Sequence, residues 1–258
     1  MINLIPMAGL GKRFADEGYA LPKPLIPVSG KPMIVMALSM MPKADITILV
    51  CRKEHVEQYH IDKEISKHIS NVHCIPIDFN TEGQACTCLL ARDFIDTNEP
   101  LFIGACDNGM LWDEKKFKEL TEEKDSDVVC WAFKGQNNVL LNPNAWGWIK
   151  TREDGKTIER VSVKVPVSDK ILNDPAVIGS FWFRTGKLFI EIAEDLIKNN
   201  IRVNNEFYVD SCVGHAIKRG YTSKVFIVDQ YVGWGTPKDL REYEFWEKYF
   251  CLNKRCSL

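Results

Sequence analysis

The sequence predicts an α/β fold: a mainly parallel sheet flanked by helices, with a small antiparallel portion added. Three observations carry this. Apolar runs alternate with helical patterns as far as Phe133. These runs are continuous rather than alternating, as strands buried on both faces should be. From about Asn137 the texture changes to strand-like runs separated by turn residues such as Asp154-Gly155. The first pattern implies right-handed βαβ units and the second implies added antiparallel strands.

The elements follow in order. "INLIPMA" reads as a strand, and "PMIVMALSMM" as a helix starting near Pro32. "DITILVC" is a strand, and "KEHVEQYHIDKEISKHI" one amphipathic helix. His55, His60 and His68 lie on that helix without metal-like partners and read as solvated. "VHCIPID" is a strand, "GQACTCLLARDFI" a helix and "PLFIGACD" a strand. An exposed helix, "DEKKFKELTEEK", precedes the strand "SDVVCWAF". "WGWIKT", "TIERVSV" and "AVIGSFWF" are the added strands. The helices "TGKLFIEIAEDLIKNN" and "NNEFYVDSCVGHAIKRG", the strand "KVFIVD" and the helix "PKDLREYEFWEKYF" complete the chain.

The chain has 258 residues and no Ser- or Pro-rich linker, so one domain over 1–258 is expected. Net charge is -2. No global basic field favours nucleic acid, and any anion site must be local. No stretch approaches the ~20 apolar residues of a membrane span. No charged segment followed by an apolar one opens the chain, so a cytoplasmic protein is expected. Nine cysteines, an odd number with no C-x-x-C, argue against a zinc site or a disulfide framework. They read as free thiols packed as small apolar residues.

The chemistry concentrates at the first strand end, "IPMAGLGKRFADEGYALPKPL". Ligands of open α/β sheets bind beyond the C-terminal ends of strands. Glycines there let backbone N–H groups approach a phosphate, and Arg13 adds a charged fork. A dinucleotide fingerprint wants a third glycine where Phe14 stands, which argues against an NAD(P)-dependent oxidoreductase. A Walker loop wants Ser or Thr after Gly-Lys, and Arg13 stands there. Two prolines restrict the backbone of Lys23, which marks it as more than a surface lysine.

A-G-x-G-x-R-F, then P-K-P, then "SGKPMI" resembles the signature of the sugar-1-phosphate nucleotidyltransferase family. The resemblance continues through "TEGQACTCLLARDFI", "LFIGACDN", "NNEFYVDS" and "GWGTPKDL", and so covers nearly the whole chain. It implies a Rossmann-like sheet. It also implies a Mg²⁺-dependent reaction of an NTP with a phosphorylated small molecule, giving a nucleotidyl conjugate and pyrophosphate. By resemblance, Ala8, Gly9, Gly11, Lys12 and Arg13 cradle the phosphates, and Lys23 contacts the α-phosphate. Arg13, Lys23 and Asp107 are the catalytic candidates. Gly83 and Gln84 face the nucleobase, with Glu82 beside them. Asp107 resembles the metal ligand, Lys164 the lysine holding the acceptor's phosphate, and Glu206 an acceptor contact. A homodimer is compatible with the resemblance.

Two departures matter. The family's second metal-binding aspartate, in W-x-D-x-G-T, is Gly233 here. Asp229 or Asp210 is the expected substitute. The family's E-K pair, whose glutamate holds sugar hydroxyls, reads Val163-Lys164. The acceptor is then an unusual sugar or no sugar, for example a phosphorylated amino alcohol or amide such as phosphoglutamine. The compact loop from Phe14 to Leu21 and the "EGQACT" stretch favour a pyrimidine nucleotide, CTP before dTTP. The expected setting is surface (capsule) polysaccharide assembly or modification. The alternative that Gly233 raises is a non-catalytic nucleotide-binding module.

Overall fold

The protein is described from a computed structural model, which covers the backbone of residues 1–255 and the side chains of 1–252. Cys256 lies outside the described residues. In chain order the elements are β1 (Ile2–Met7), α1 (Lys12–Asp16), β2 (Pro27–Val28), β3 (Lys31–Pro32), α2 (Met33–Ser39), β4 (Ile46–Arg52), α3 (Lys53–Tyr59), α4 (Ile61–Ser66), β5 (Val72–Ile77), α5 (Gln84–Leu89) and α6 (Arg92–Ile95). Then come β6 (Leu101–Ile103), β7 (Asn108–Leu111), α7 (Glu114–Glu122), β8 (Val128–Phe133), β9 (Gly147–Thr151), β10 (Ile158–Val163), β11 (Ala176–Phe183), α8 (Gly186–Lys198), α9 (Val209–Lys218), β12 (Ser223–Ile227), β13 (Gln230–Gly233) and α10 (Pro237–Arg255).

The main sheet has nine strands. Seven run in the order β5-β4-β1-β6-β11-β8-β12. β1 pairs in parallel with β4 and β6, and β8 with β12, while β11 runs antiparallel to both β6 and β8. Successive residues of β8 face opposite ways into two cores. Val129, Trp131 and Phe133 join one, and Val128, Cys130 and Ala132 join the other. Leu4 and Ile5 divide in the same way. This two-sided burial is why the runs read as continuous apolar stretches. β5, at the edge, is more exposed than that reading implied.

β11 positions the cleft. Its last residues pair with β6, from Phe181↔Ile103 to Phe183↔Leu101. Its first residue pairs instead with β9, at Ala176↔Trp148. A register shift between Val177 and Phe181 separates the two, with Gly179 in the left-handed region at φ +82°. The β9–β10 hairpin therefore sits beyond the C-terminal end of β6.

Four expectations need correction. The helix expected over 53–69 breaks at His60, whose φ is +50°, into α3 and α4. His55 on α3 is buried, not solvated; burial lowers its pKa, with the Glu54 carboxylate opposing. The expected strand "PLFIGACD" stops at Ile103. Asn108–Leu111 then pairs with Gln230–Gly233 as a separate ribbon. "NNEF" is no helix: Asn204 and Asn205 have φ of +49° and +63°, and α9 starts at Val209. Among the described residues, no helix is long and apolar enough to cross a membrane.

Candidate functional site

Three cavities lie side by side along the C-terminal ends of β1 and β6. The first, 310 Å³, is lined by Ala8, Gly9, Asn80, Thr81, Gly83 and Glu206, among others. The second, 250 Å³, includes Gly9, Gly11, Lys23, Cys106 and Asp107. The third, also 250 Å³, includes Asp107, Trp146, Gly147, Lys164, Tyr208 and Asp210. Gln84 borders all three. Gly9 is shared by the first two and Asp107 by the last two. The result is one cleft whose middle holds a lysine and a carboxylate. A larger cavity of 770 Å³ touches the third through Trp146. Its lining includes Asp239, Glu242 and Glu247 and no lysine or arginine, so it does not suit a phosphate.

In the middle of the cleft, Lys23 Nζ donates to Asp107 Oδ2, and the two form a largely buried ion pair. Burial works against the charged lysine, but the Asp107 carboxylate overrides it, so the Lys23 pKa is raised; Arg13 opposes weakly. Lys12 and Arg13 are exposed on α1 and make no ion pair among the described residues. Burial pushes the neighbouring Cys106 thiol up to about 12, which keeps it a neutral wall.

The first cavity is built by a clamp between distant segments. Phe207 N–H donates to Glu82 O at 2.9 Å, and Ala85 N–H donates to Phe207 O at 2.9 Å. Gly83 sits between them at φ +130°, and a Cβ there would lie 2.5 Å from Phe207 N. Only glycine fits this position. Thr81 and Thr87 hydroxyls meet at 2.6 Å, and Arg52 holds the Asn80 carboxamide oxygen at 3.1 Å. Glu82 turns away from the cavity: its carboxylate accepts from Arg202 at 3.2 Å. Arg202 itself lies 4.1 Å from the Phe207 ring centroid.

The third cavity draws on the hairpin and α9. Lys164 follows β10 in the left-handed region at φ +65°. Its N–H donates to Trp146 O and its Nζ to Ala145 O, each at 3.0 Å. Its Nζ also lies 5.8 Å from the Tyr208 ring centroid. Val163 pairs with Gly147 across the hairpin and does not line the cavity. Asp210 stands near the start of α9. Burial pushes its carboxyl up to about 6, with the Ser211 N–H bond and Lys164 opposing.

The structure thus brings Gly9, Gly11, Lys23, Gln84 and Asp107 together, with Lys164 in the adjoining cavity. It places Glu206 in the first cavity rather than beside Lys164. Glu206 reaches the third only through Tyr208, whose pKa is raised to about 12 by burial and by its hydrogen bond to Glu206. It does not bring Asp229 to Asp107. Asp229 precedes Gln230↔Leu111, whereas Asp107 adjoins Asn108↔Gly233, about four residue rises or ~13 Å along the ribbon. At Gly233 a Cβ would meet the Tyr231 hydroxyl at 3.0 Å, so a tyrosine oxygen fills the space beside that position. Asn80, Thr81, Trp146, Gly147 and Tyr208 were not singled out from sequence.

A family model described as "Nucleotidyl transferase" matches residues 2–244. The chain belongs to the nucleotidyl transferase family. Its fold is similar to a nucleoside-diphosphate-sugar pyrophosphorylase from Vibrio cholerae RC9, with TM-score 0.76 and 17% identity over 94% of this chain and 99% of that one. It is also similar to an inositol-1-phosphate CTP transferase from T. maritima, with TM-score 0.71 and 16% identity over 94% and 93%. A UDP-glucose pyrophosphorylase complexed with UDP-glucose gives TM-score 0.71 and 19% identity over 96% and 98%. A search of curated proteins finds no significant match. The protein is a nucleotidyltransferase. For such chemistry the middle cavity offers one hard oxygen ligand, Asp107. No group of three or more His, Cys, Asp or Glu able to cage a metal occurs among the described residues. That donor set fits magnesium, which takes one or two carboxylates and completes its shell with phosphate oxygens and water.

Proposed function

We propose that this nucleotidyltransferase transfers a pyrimidine nucleotide, CTP before dTTP, to a small organic phosphate other than glucose 1-phosphate, in making or modifying a surface polysaccharide. The observation that carries the reading is the order of the three cavities. Gln84 borders all of them, and Asp107 and Lys23 sit between the first and third. A base in the first, a triphosphate over Gly9 and Gly11, and an acceptor phosphate at Lys164 would meet at Lys23. The pyrimidine preference rests on Asn80 in the first cavity. Its oxygen is held by Arg52, which leaves its NH₂ free to donate to a base carbonyl. A fold shared with an inositol-1-phosphate CTP transferase is compatible with this preference and does not carry it.

The chemistry asks for alignment rather than a general base. An acceptor phosphate carries about -1.5 to -2 charges at neutral pH. One of its oxygens bonds to the α-phosphorus while the bond to the bridging oxygen breaks, and pyrophosphate leaves. Lys23 exchanges Asp107 for the α-phosphate, and Arg13 supplies further positive charge near it. Lys164 holds the incoming phosphate. Asp107, freed from Lys23, would hold magnesium, which supplies charge neutralisation to the triphosphate. The test is a matrix of four nucleotides against phosphorylated sugars, polyols, amino alcohols and amides, read by pyrophosphate release. CTP with a non-sugar phosphate is expected to lead, and glucose 1-phosphate outcompeting all others would overturn the acceptor reading.

A further inference from the structure

We propose that Asp210 reads a protonated amine, so that the acceptor is an organic phosphate carrying its own ammonium group. The inference rests on the nucleotidyl-transfer reading of the same cleft and narrows its acceptor.

Asp210 has a free oxygen in the acceptor cavity. Its Oδ1 accepts from Ser211 N–H at 3.1 Å. Among the described residues, nothing donates to Oδ2 within hydrogen-bond reach, and no cation lies within ion-pair distance. That oxygen occupies the ground beside Gly147: a Cβ there would lie 2.6 Å from Oδ2. The wall has given up a side chain to make room for the carboxylate. Asp210 is half-buried and lines the cavity, and its unpaired oxygen is open to a cation that enters there.

Lys164 is not that cation. Its Nζ is bonded to Ala145 O at 3.0 Å and lies near the Tyr208 ring, within electrostatic reach of Asp210 but not paired with it. The cavity therefore presents a positive pole at Lys164 and a separate negative pole at Asp210. A zwitterion with phosphate at one end and ammonium at the other complements both. Trp146, Tyr208 and Phe181 also line the cavity, and aromatic walls suit an organic cation. A neutral sugar hydroxyl can donate to Asp210 but leaves its charge uncompensated.

The test compares 2-aminoethyl phosphate with propyl phosphate, which puts a methyl in place of the ammonium. Equilibrium binding by calorimetry comes first, then pyrophosphate release with CTP and magnesium. The wild type is expected to prefer the amine by about 10- to 100-fold, the range of a charge-assisted hydrogen bond. Asp210→Asn, which keeps the Ser211 bond, should bring that preference to within about threefold of unity. Gly147→Ala, which crowds the carboxylate, should reduce it in the same direction. No amine preference in the wild type, or a preference that survives Asp210→Asn, overturns the proposal. So does a loss confined to magnesium affinity, which would make Asp210 a metal ligand. If no nucleotide yields pyrophosphate while the amine preference in binding stands, nucleotidyl transfer fails and the Asp210 assignment survives.

Discussion

The two ends of the cleft are built differently. The end proposed for the nucleotide is made of short contiguous stretches at strand ends: "AGLGKR" after β1, "PKP" braced by prolines, and "EGQ" at the start of α5. The end proposed for the acceptor is assembled from pieces far apart in sequence: Trp146 and Gly147 before and in β9, Lys164 after β10, the shifted register of β11, and Asp210 in α9. A triphosphate is the same ligand in every enzyme that uses it, and backbone N–H groups with fixed cations suffice to bind it. An acceptor varies, so its end is built from side chains on an added hairpin that can change without disturbing the parallel sheet.

The sharpest break in this comparison comes where the ends meet. Lys23→Ala and Arg13→Ala are each expected to cut turnover by ~10²–10³-fold, the effect of losing a preorganised charge at the transferring phosphorus. Asp107→Asn should lose magnesium-dependent turnover and also melt lower. It leaves Lys23, now largely buried, without its carboxylate. Near wild-type turnover in the lysine variant would detach the middle cavity from the chemistry.

Next in size is the clamp that joins the ends. Gly83→Ala drives a Cβ to 2.5 Å from Phe207 N at a backbone angle that L-residues avoid. The expected loss is about 2–3 kcal/mol, or roughly 5–10 °C in Tm for a chain of this size. An unchanged melt would mean that the 82–85 and 206–208 segments do not hold each other in solution.

Lys164→Ala separates the ends kinetically. The acceptor KM should rise by ~10-fold or more while nucleotide affinity, measured by direct titration, stays within about twofold. A parallel loss of nucleotide affinity would place Lys164 at the wrong end.

The nucleotide end was the legible one for a physical reason. Gly9, Gly11, Lys23 and Asp107 each carry a local signature of turn, brace or strand end, and the structure places all four around one cavity. Continuous apolar runs made the parallel sheet readable in the same local way. Glu206 and Glu82 were less legible. Two left-handed asparagines redirect the chain before Glu206, and Arg202, remote in sequence, draws Glu82 outward. Asp210 stood in the sequence only as a candidate, beside Asp229, for the second metal-binding carboxylate. Its setting depends on Gly147 and on the register shift in β11, neither of which leaves a local pattern.

The smallest expected effect tests the acceptor end without any substrate. The Asp210 carboxyl is pushed up to about 6, by burial first, with Lys164 opposing. Burial first, and then the Asp210 carboxylate, raise the thiol pKa values of Cys130 on β8 and Cys212 on α9. In the unfolded chain an aspartate titrates near ~3.9. Between about pH 4 and pH 6 the native state therefore binds more protons at this site than the unfolded state does. Stability from this group falls as pH rises through that window, and the full penalty stands above about pH 6. Asp210→Asn removes the charge and keeps the acceptor for Ser211 N–H. The variant should melt higher than wild type at pH 7.5, by on the order of 1 kcal/mol, and the gap should close toward pH 4. A thermal melt of both proteins across that range reads it directly. A gap independent of pH would mean that the substitution acts through packing, and that the carboxylate at the acceptor end is already satisfied in the free protein.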